Sequence, residues 1–269
     1  MFVGEAGTRL RDPLQHGNAG RWYEQRLSLF YPLRPRKARS RPPYAMRTAK
    51  SLCQPPKKND NLSRDYLLFK INIYLCIVMD KNLFIISGCN GAGKTTASYT
   101  VLPEILHCRE FVNADEIARG LSPFNPEGVA IEAGRMMLQR IEHLLSKDVS
   151  FSIETTLATK TYINLVRRAQ SRGYQVHLIF FWLENPELAA QRVAERVKKG
   201  GHNIPNDVIY RRYIAGISNL FKYFMNQVDL WMIYDNSCTP RTFVARGGRM
   251  LDVEIYSPKT YNKISAYVR

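Results

Sequence analysis

The thirteen residues LFIISGCNGAGKT, numbers 83–95, decide the fold. Leu83 to Ser87 is a short apolar run of the kind that becomes a buried strand. Gly88-Cys89-Asn90-Gly91-Ala92-Gly93-Lys94-Thr95 then matches G-x-x-x-x-G-K-[ST], and the residues from Lys94 onward read as a helix to about Ile105. Strand, glycine-rich turn and helix in that order form a phosphate cradle. The glycines let successive backbone N–H groups turn toward one anion, and the helix directs its positive end at the same place. Lys94 supplies a charged donor for the terminal phosphates, and the Thr95 hydroxyl suits a magnesium ion. Gly88, Asn90, Gly91, Ala92, Gly93, Lys94, Thr95 and Thr96 are therefore the expected nucleotide-binding residues, for ATP or GTP with Mg2+.

Downstream, apolar runs alternate with helical patterns, as a mostly parallel α/β sheet requires. Strands are expected over Glu110–Asn113, Val149–Ile153, Tyr174–Leu183 and Val228–Tyr234. Helices are expected over Glu127–Leu145, Thr159–Arg172, Asn185–Lys199 and Asn206–Asn226. Asn185 followed by Pro186 is a helix start with its cap and first-turn proline. The tail, Arg241 to Arg269, reads as two short strands and a terminal helix. The predicted architecture is a P-loop NTPase three-layer sandwich, a mostly parallel sheet flanked by helices.

Upstream, the composition changes. The net charge of +16 divides into +10 for residues 1–78 (15 Lys/Arg against 5 Asp/Glu) and +6 for residues 79–269 (24 against 18). The first segment also holds seven of the fourteen prolines and has no sustained period, so it reads as disordered to about Arg64. It is open to three readings: a basic nucleic-acid-binding arm around Arg34 to Arg41, a targeting peptide spoiled by Glu5, Asp12 and Glu24, or an over-extended start upstream of Met79. The expectation adopted is the last, with a kinase domain over residues 79–269. No run reaches the length of a membrane span; Tyr66–Met79 is too short and carries Lys70 and Asn72. Five cysteines without CxxC spacing suit a reducing cytosol, so a cytoplasmic protein is expected.

The motif does not name the phosphate acceptor, and other strand ends must supply the chemistry. NKxD and LSGGQ-type signatures are absent, which leaves a small kinase. Such an enzyme needs a base for the acceptor hydroxyl, a magnesium ligand and cations over the transferring phosphate. Asp115, just past the second strand, is the candidate base, and capping of the next helix is its competing role. Glu154, at the end of the third strand, is the candidate magnesium ligand beside Thr95, with Thr155 and Thr156 facing substrate. Arg192 and Arg196, four apart on one helical face, are the candidate lid cations, with Arg211 and Arg212 following. His202, alone in a loop, reads as structural or exposed.

Five blocks carry a family resemblance: NGAGKTT (90–96), FVNADEIARGLSPFNPE (111–127), FSIETTLATKTY (151–162), FFWLENPELAAQRVAERVKKGGHNIP (180–205) and RRYIAGISNLF (211–221). In this order they resemble the zeta-toxin family of small P-loop kinases, in its chromosomal branch, over about Asp80 to Asn236. The resemblance implies ATP- or GTP-dependent phosphorylation of the sugar 3′-hydroxyl of UDP-N-acetylglucosamine or a similar nucleotide sugar; it leaves an antitoxin protein as a partner open, since members of the chromosomal branch need not have one. It also implies functional roles for Lys94, Asp115, Arg192 and Arg196. Cys89 departs from the proline of many relatives, and Glu132 and Arg135 are the residues that the Glu127 helix offers to the acceptor. The alternative reading is a nucleic-acid-associated NTPase that uses residues 1–78 as a basic arm.

Overall fold

The computed structural model describes residues 81–104, 106–201, 203–249 and 251–268. The basic extension, Met79 and His202 lie outside the described residues. Seven strands form one sheet in the order β2-β3-β1-β4-β5-β6-β7. They are β1 (Asn82–Gly88), β2 (Phe111–Val112), β3 (Phe151–Thr155), β4 (Gln175–Trp182), β5 (Leu230–Asp235), β6 (Thr242–Gly248) and β7 (Leu251–Ile255). The first five run parallel; β6 and β7 are antiparallel additions at one edge. Every residue of β1 is buried, and so is all of β4 after Gln175. Strands buried on both faces need a helical layer on each side, which is the three-layer sandwich expected from the alternation.

The helices are α1 (Lys94–Glu104), α2 (Ala114–Leu121), α3 (Ala130–Ser146), α4 (Thr161–Ser171), α5 (Pro186–Lys198), α6 (Asn206–Asn219) and α7 (Pro258–Ser265). Helix α2, implied by the capping role weighed for Asp115, had no bounds assigned from sequence. Its start is local chemistry: Asn113 leaves the strand in extended conformation and its side-chain oxygen accepts from the Asp115 N–H at 2.8 Å. The helix expected from Glu127 begins instead as a 3₁₀ turn, Pro126–Val129, capped by Asn125, and becomes α-helical at Ala130. The expected helix to Asn226 is α-helical to Asn219 and closes in a wide turn, with the Met225 N–H donating to the Leu220 carbonyl at 3.0 Å. Asn185 caps α5 through the Leu188 N–H at 2.8 Å, ahead of Pro186, as its sequence required.

Strand order positions the site. From β1 the chain moves to β2 and β3 on one side, then crosses to β4 and β5 on the other. Loops leaving the carboxyl end of β1 thus diverge from those of its neighbours and open a crevice there. No helix among the described residues is long and apolar enough to cross a membrane. Cys89 and Cys108 are buried free thiols.

Strand β4 carries a buried histidine, paired with β1. His177 Nε2 sits 3.0 Å from Asn82 Oδ1, and the ring stacks on Phe84 with centroids 5.1 Å apart. Burial lowers its pKa to about 4, against the opposing pull of Asp229. The unfolded chain protonates near pH 6.5 and the folded chain near 4, so this stabilisation is complete above 6.5 and is lost as pH falls toward 4. Between pH 7 and 4 the wild-type unfolding free energy should fall about 3 kcal/mol further than that of His177→Gln. Urea unfolding across that pH range checks this, and parallel curves for the two proteins would refute it.

Candidate active site

The parallel register gathers the chemistry at one edge of the sheet. Ile86 stands beside Glu154 and Ser87 beside Thr155, while Gly88 stands beside Phe181 and Trp182 beside Asp235. Val112 stands beside Ile153, which brings Asn113 level with Glu154. Four strands therefore end around the turn that leaves β1.

That turn can be formed only by glycine at its tightest points. Gly88 has φ +136°, and a Cβ there would lie 2.2 Å from the Phe181 carbonyl oxygen. Gly93 has φ +80°, and a Cβ there would lie 2.7 Å from the Asn236 side-chain nitrogen. Backbone so close to its neighbours leaves no room for a side chain, and both φ values are ones that other residues adopt at a cost.

Lys94 and Glu154 form the centre, with side chains only 7% and 9% exposed. The ammonium donates to the Cys89 carbonyl at 3.0 Å and lies 3.7 Å from Glu154 Oε1. Thr95 Oγ1 lies 3.0 and 2.9 Å from the two carboxylate oxygens, and Asn113 Nδ2 donates to Oε2 at 3.0 Å. Burial pushes the Glu154 carboxyl above the usual range; Lys94 and the Thr95 hydrogen bond pull it back, and Asp115 and Glu116 push it up again. Asp115 and Glu116 thus lie near enough to act on Glu154 through their charge. Asp115 itself is exposed in the first turn of α2. Its competing role as helix cap belongs to Asn113, whose oxygen accepts from the Asp115 N–H.

The two threonines after Glu154 turn the chain. Thr155 Oγ1 accepts from the Leu157 N–H at 3.0 Å, and a Cβ on Gly216 of α6 would lie 2.5 Å from the Thr156 carbonyl oxygen. Thr96 is exposed at the start of α1, and Arg135 is exposed on α3, a different element from those that carry Glu154. Arg192 points its guanidinium at two carbonyls just past β5, those of Asn236 and Ser237, each at 2.9 Å. Arg196 is partly buried, with Gly201 packed against its side chain. Arg212 of α6 reaches the phosphate loop, 3.5 Å from Asn90 Oδ1. Cys89 is buried, and burial pushes its thiol up to about 11, which keeps it protonated near neutral pH.

Asn236 is the residue that sequence reading missed. Its Nδ2 donates to the Ala92 carbonyl at 2.8 Å, inside the phosphate loop. The rule that selected Asp115 and Glu154, a polar residue at the carboxyl end of a parallel strand, applies equally to the residue after Asp235.

The oxygen donors Thr95 and Glu154 form a hard ligand pair of the kind that magnesium takes, supplemented by phosphate and water. A lysine within reach of the same space adds a fixed positive charge. The arrangement can bind a polyphosphate with a divalent cation and stabilise charge on its terminal group.

The family model described as "Zeta toxin" matches residues 79–238. An uncharacterized protein of Haemophilus influenzae is 29% identical over 136 residues, which make up 51% of this chain and 95% of that protein. Among solved structures, the AvrRxo1-ORF1:-ORF2 complex with ATP shares 18% identity with a TM-score of 0.59, over 76% of this chain and 71% of that one. The PezAT chromosomal toxin–antitoxin system of the human pathogen Streptococcus pneumoniae shares 16% identity with a TM-score of 0.52, over 78% of this chain and 88% of that one. At these identities the structures are alike in fold.

Asn113 joins helix start and carboxylate, so Asn113→Ala should cost about 1–3 kcal/mol, for the lost cap and a less satisfied buried carboxylate. Asp115→Asn should stay within about 0.5 kcal/mol of wild type, because its side chain is exposed and does not cap. Urea unfolding of the two variants checks the division; a larger loss for Asp115→Asn would reverse the assignment.

Proposed function

The chain belongs to the Zeta toxin family, and from that membership and the site we propose an ATP-dependent, or GTP-dependent, phosphotransferase acting on a hydroxyl of a small molecule. The proposed acceptor is a UDP-sugar such as UDP-N-acetylglucosamine. One observation carries the reading: Lys94, Thr95, Asn113 and Glu154 converge in a single buried cluster at the mouth of the glycine-rich turn.

In the proposed reaction Asp115 accepts the proton of the acceptor hydroxyl, whose oxygen then bonds to the terminal phosphorus. The bond from that phosphorus to the bridging oxygen breaks, and the nucleoside diphosphate leaves. Asp115 suits this role because it is exposed at the edge of the crevice and has no capping duty. Glu154 suits a different one, since Thr95 and Asn113 already occupy its oxygens and Lys94 neutralises it. Thr95 and Glu154 would hold Mg2+, which when bound neutralises phosphate charge. Lys94 leaves the Cys89 carbonyl for the terminal phosphates. Arg196 and Arg212, on the two helices that flank the Gly200–Pro205 loop, are the proposed lid cations, and Arg192 holds the backbone after β5 in place. An arginine over the transferring phosphate is worth about 10³–10⁵ in rate.

Thr155, Thr156 and Arg135 remain proposed acceptor contacts. An antitoxin protein is the proposed partner, by extension from the toxin–antitoxin description of the PezAT structure. The nucleic-acid alternative rests on residues 1–78, which lie outside the described residues.

Transfer of ³²P from labelled ATP to a panel of UDP-sugars and nucleosides tests the reading. A labelled UDP-sugar is the expected product, and no acceptor-dependent label from ATP or GTP would overturn it. In the same assay Lys94→Ala should lose transfer while remaining folded. Asp115→Asn should lower turnover at least a hundredfold, roughly 3 kcal/mol of barrier, with nucleotide affinity little changed. Near-normal turnover would move the base to another carboxylate.

A further inference from the structure

In a phosphate cradle each N–H must face the anion, so each carbonyl must be held away from it. The peptide unit is planar and trans, so fixing the carbonyl of one residue fixes the N–H of the next on the opposite side. The Ala92 carbonyl accepts from Asn236 Nδ2 at 2.8 Å, and the N–H in the same peptide plane is that of Gly93. Asn236 therefore sets the direction in which the Gly93 N–H points.

Asn236 is itself held from both sides. Its N–H donates to the Trp182 carbonyl at the end of β4 at 2.9 Å. Its carbonyl and that of Ser237 accept from the two arms of the Arg192 guanidinium. Asp235 closes the turn: its Oδ1 accepts from the Ser237 N–H at 2.9 Å and from the Ser237 hydroxyl at 2.5 Å, and Ser237 Oγ accepts from the Glu184 N–H at 2.8 Å. The loop fits against this support without slack. A Cβ on Gly91 would lie 2.7 Å from the Ala189 carbonyl oxygen and 3.2 Å from Arg192 Cβ, and a Cβ on Gly93 would meet the Asn236 amide.

We propose that Asn236 is a positioning residue for polyphosphate binding, which aims the Gly93 N–H into the cradle, with Arg192 as the clamp that holds Asn236. The inference rests on the nucleotide-binding reading of the same site. Asn236 acts on the phosphates through the loop backbone, so its effect is independent of the nucleobase.

Titration with fluorescent N-methylanthraniloyl ATP, and its competition by inorganic tripolyphosphate, tests this on the full chain. Wild type should bind saturably and Lys94→Ala weakly. Asn236→Ala removes one donor and should weaken binding about tenfold. Asn236→Asp keeps the shape and fold but sets a carboxylate against the Ala92 carbonyl, so it should weaken binding further. Both losses should be the same for tripolyphosphate, and both variants should keep cooperative melting, which a merely structural role would not combine with a changed Kd. Wild-type affinity in folded variants, or a loss with the ATP analogue but not with tripolyphosphate, overturns the inference and leaves the nucleotide reading intact. Absence of saturable binding in wild type overturns both.

Discussion

A buried carboxylate beside a buried ammonium organises this molecule. Glu154 and Lys94 are each more than nine-tenths removed from solvent, at 3.7 Å, and neither charge is tolerable there alone. Thr95 and Asn113 satisfy the carboxylate, and the Cys89 carbonyl takes the ammonium. Each partner comes from a different place in the chain: the phosphate loop and α1, the end of β2, and β3. The cluster forms only if the parallel register between β1, β2 and β3 is right, so the chemistry and the sheet constrain one another.

The same cluster has two uses for its groups. Without nucleotide, Thr95 and Lys94 neutralise Glu154. With a polyphosphate in the turn, the same hydroxyl and ammonium face charge of the same sign on the ligand. Packing already places Thr95, and Lys94 has only to leave the Cys89 carbonyl, and such preorganisation is where electrostatic stabilisation is cheapest. Asp115 stands outside this set. Exposed in the first turn of α2, it raises the Glu154 carboxyl through its charge without sharing that carboxylate's hydrogen bonds, so the two carboxylates differ in how firmly they are held.

The helical and strand segments with a clear period were legible from residues alone. Asn185-Pro186 fixed one helix start, and the apolar runs of β1 and β4 marked strands covered on both faces. The bounds of helix α2 were not, because eight residues between a two-residue strand and a proline-containing loop are too few for a period to mark both ends. Whether Asp115 or a neighbour caps that helix was likewise open from sequence. Only the backbone of Asn113, extended at φ −134°, shows which one is the cap.

The local pattern determined the phosphate loop, Lys94, Thr95 and the polar residues at the strand ends, because strand, glycine turn and helix are contiguous and their chemistry is carried by adjacent residues. Tertiary structure decided what depends on distant segments meeting. It paired Glu154 with Thr95 across 59 positions and Asn236 with Ala92 across 144, and it set Arg192 on backbone carbonyls 44 and 45 positions away. No periodicity or spacing encodes such pairs. They follow from the order in which β1, β3, β4 and β5 lie side by side, which packing alone selects.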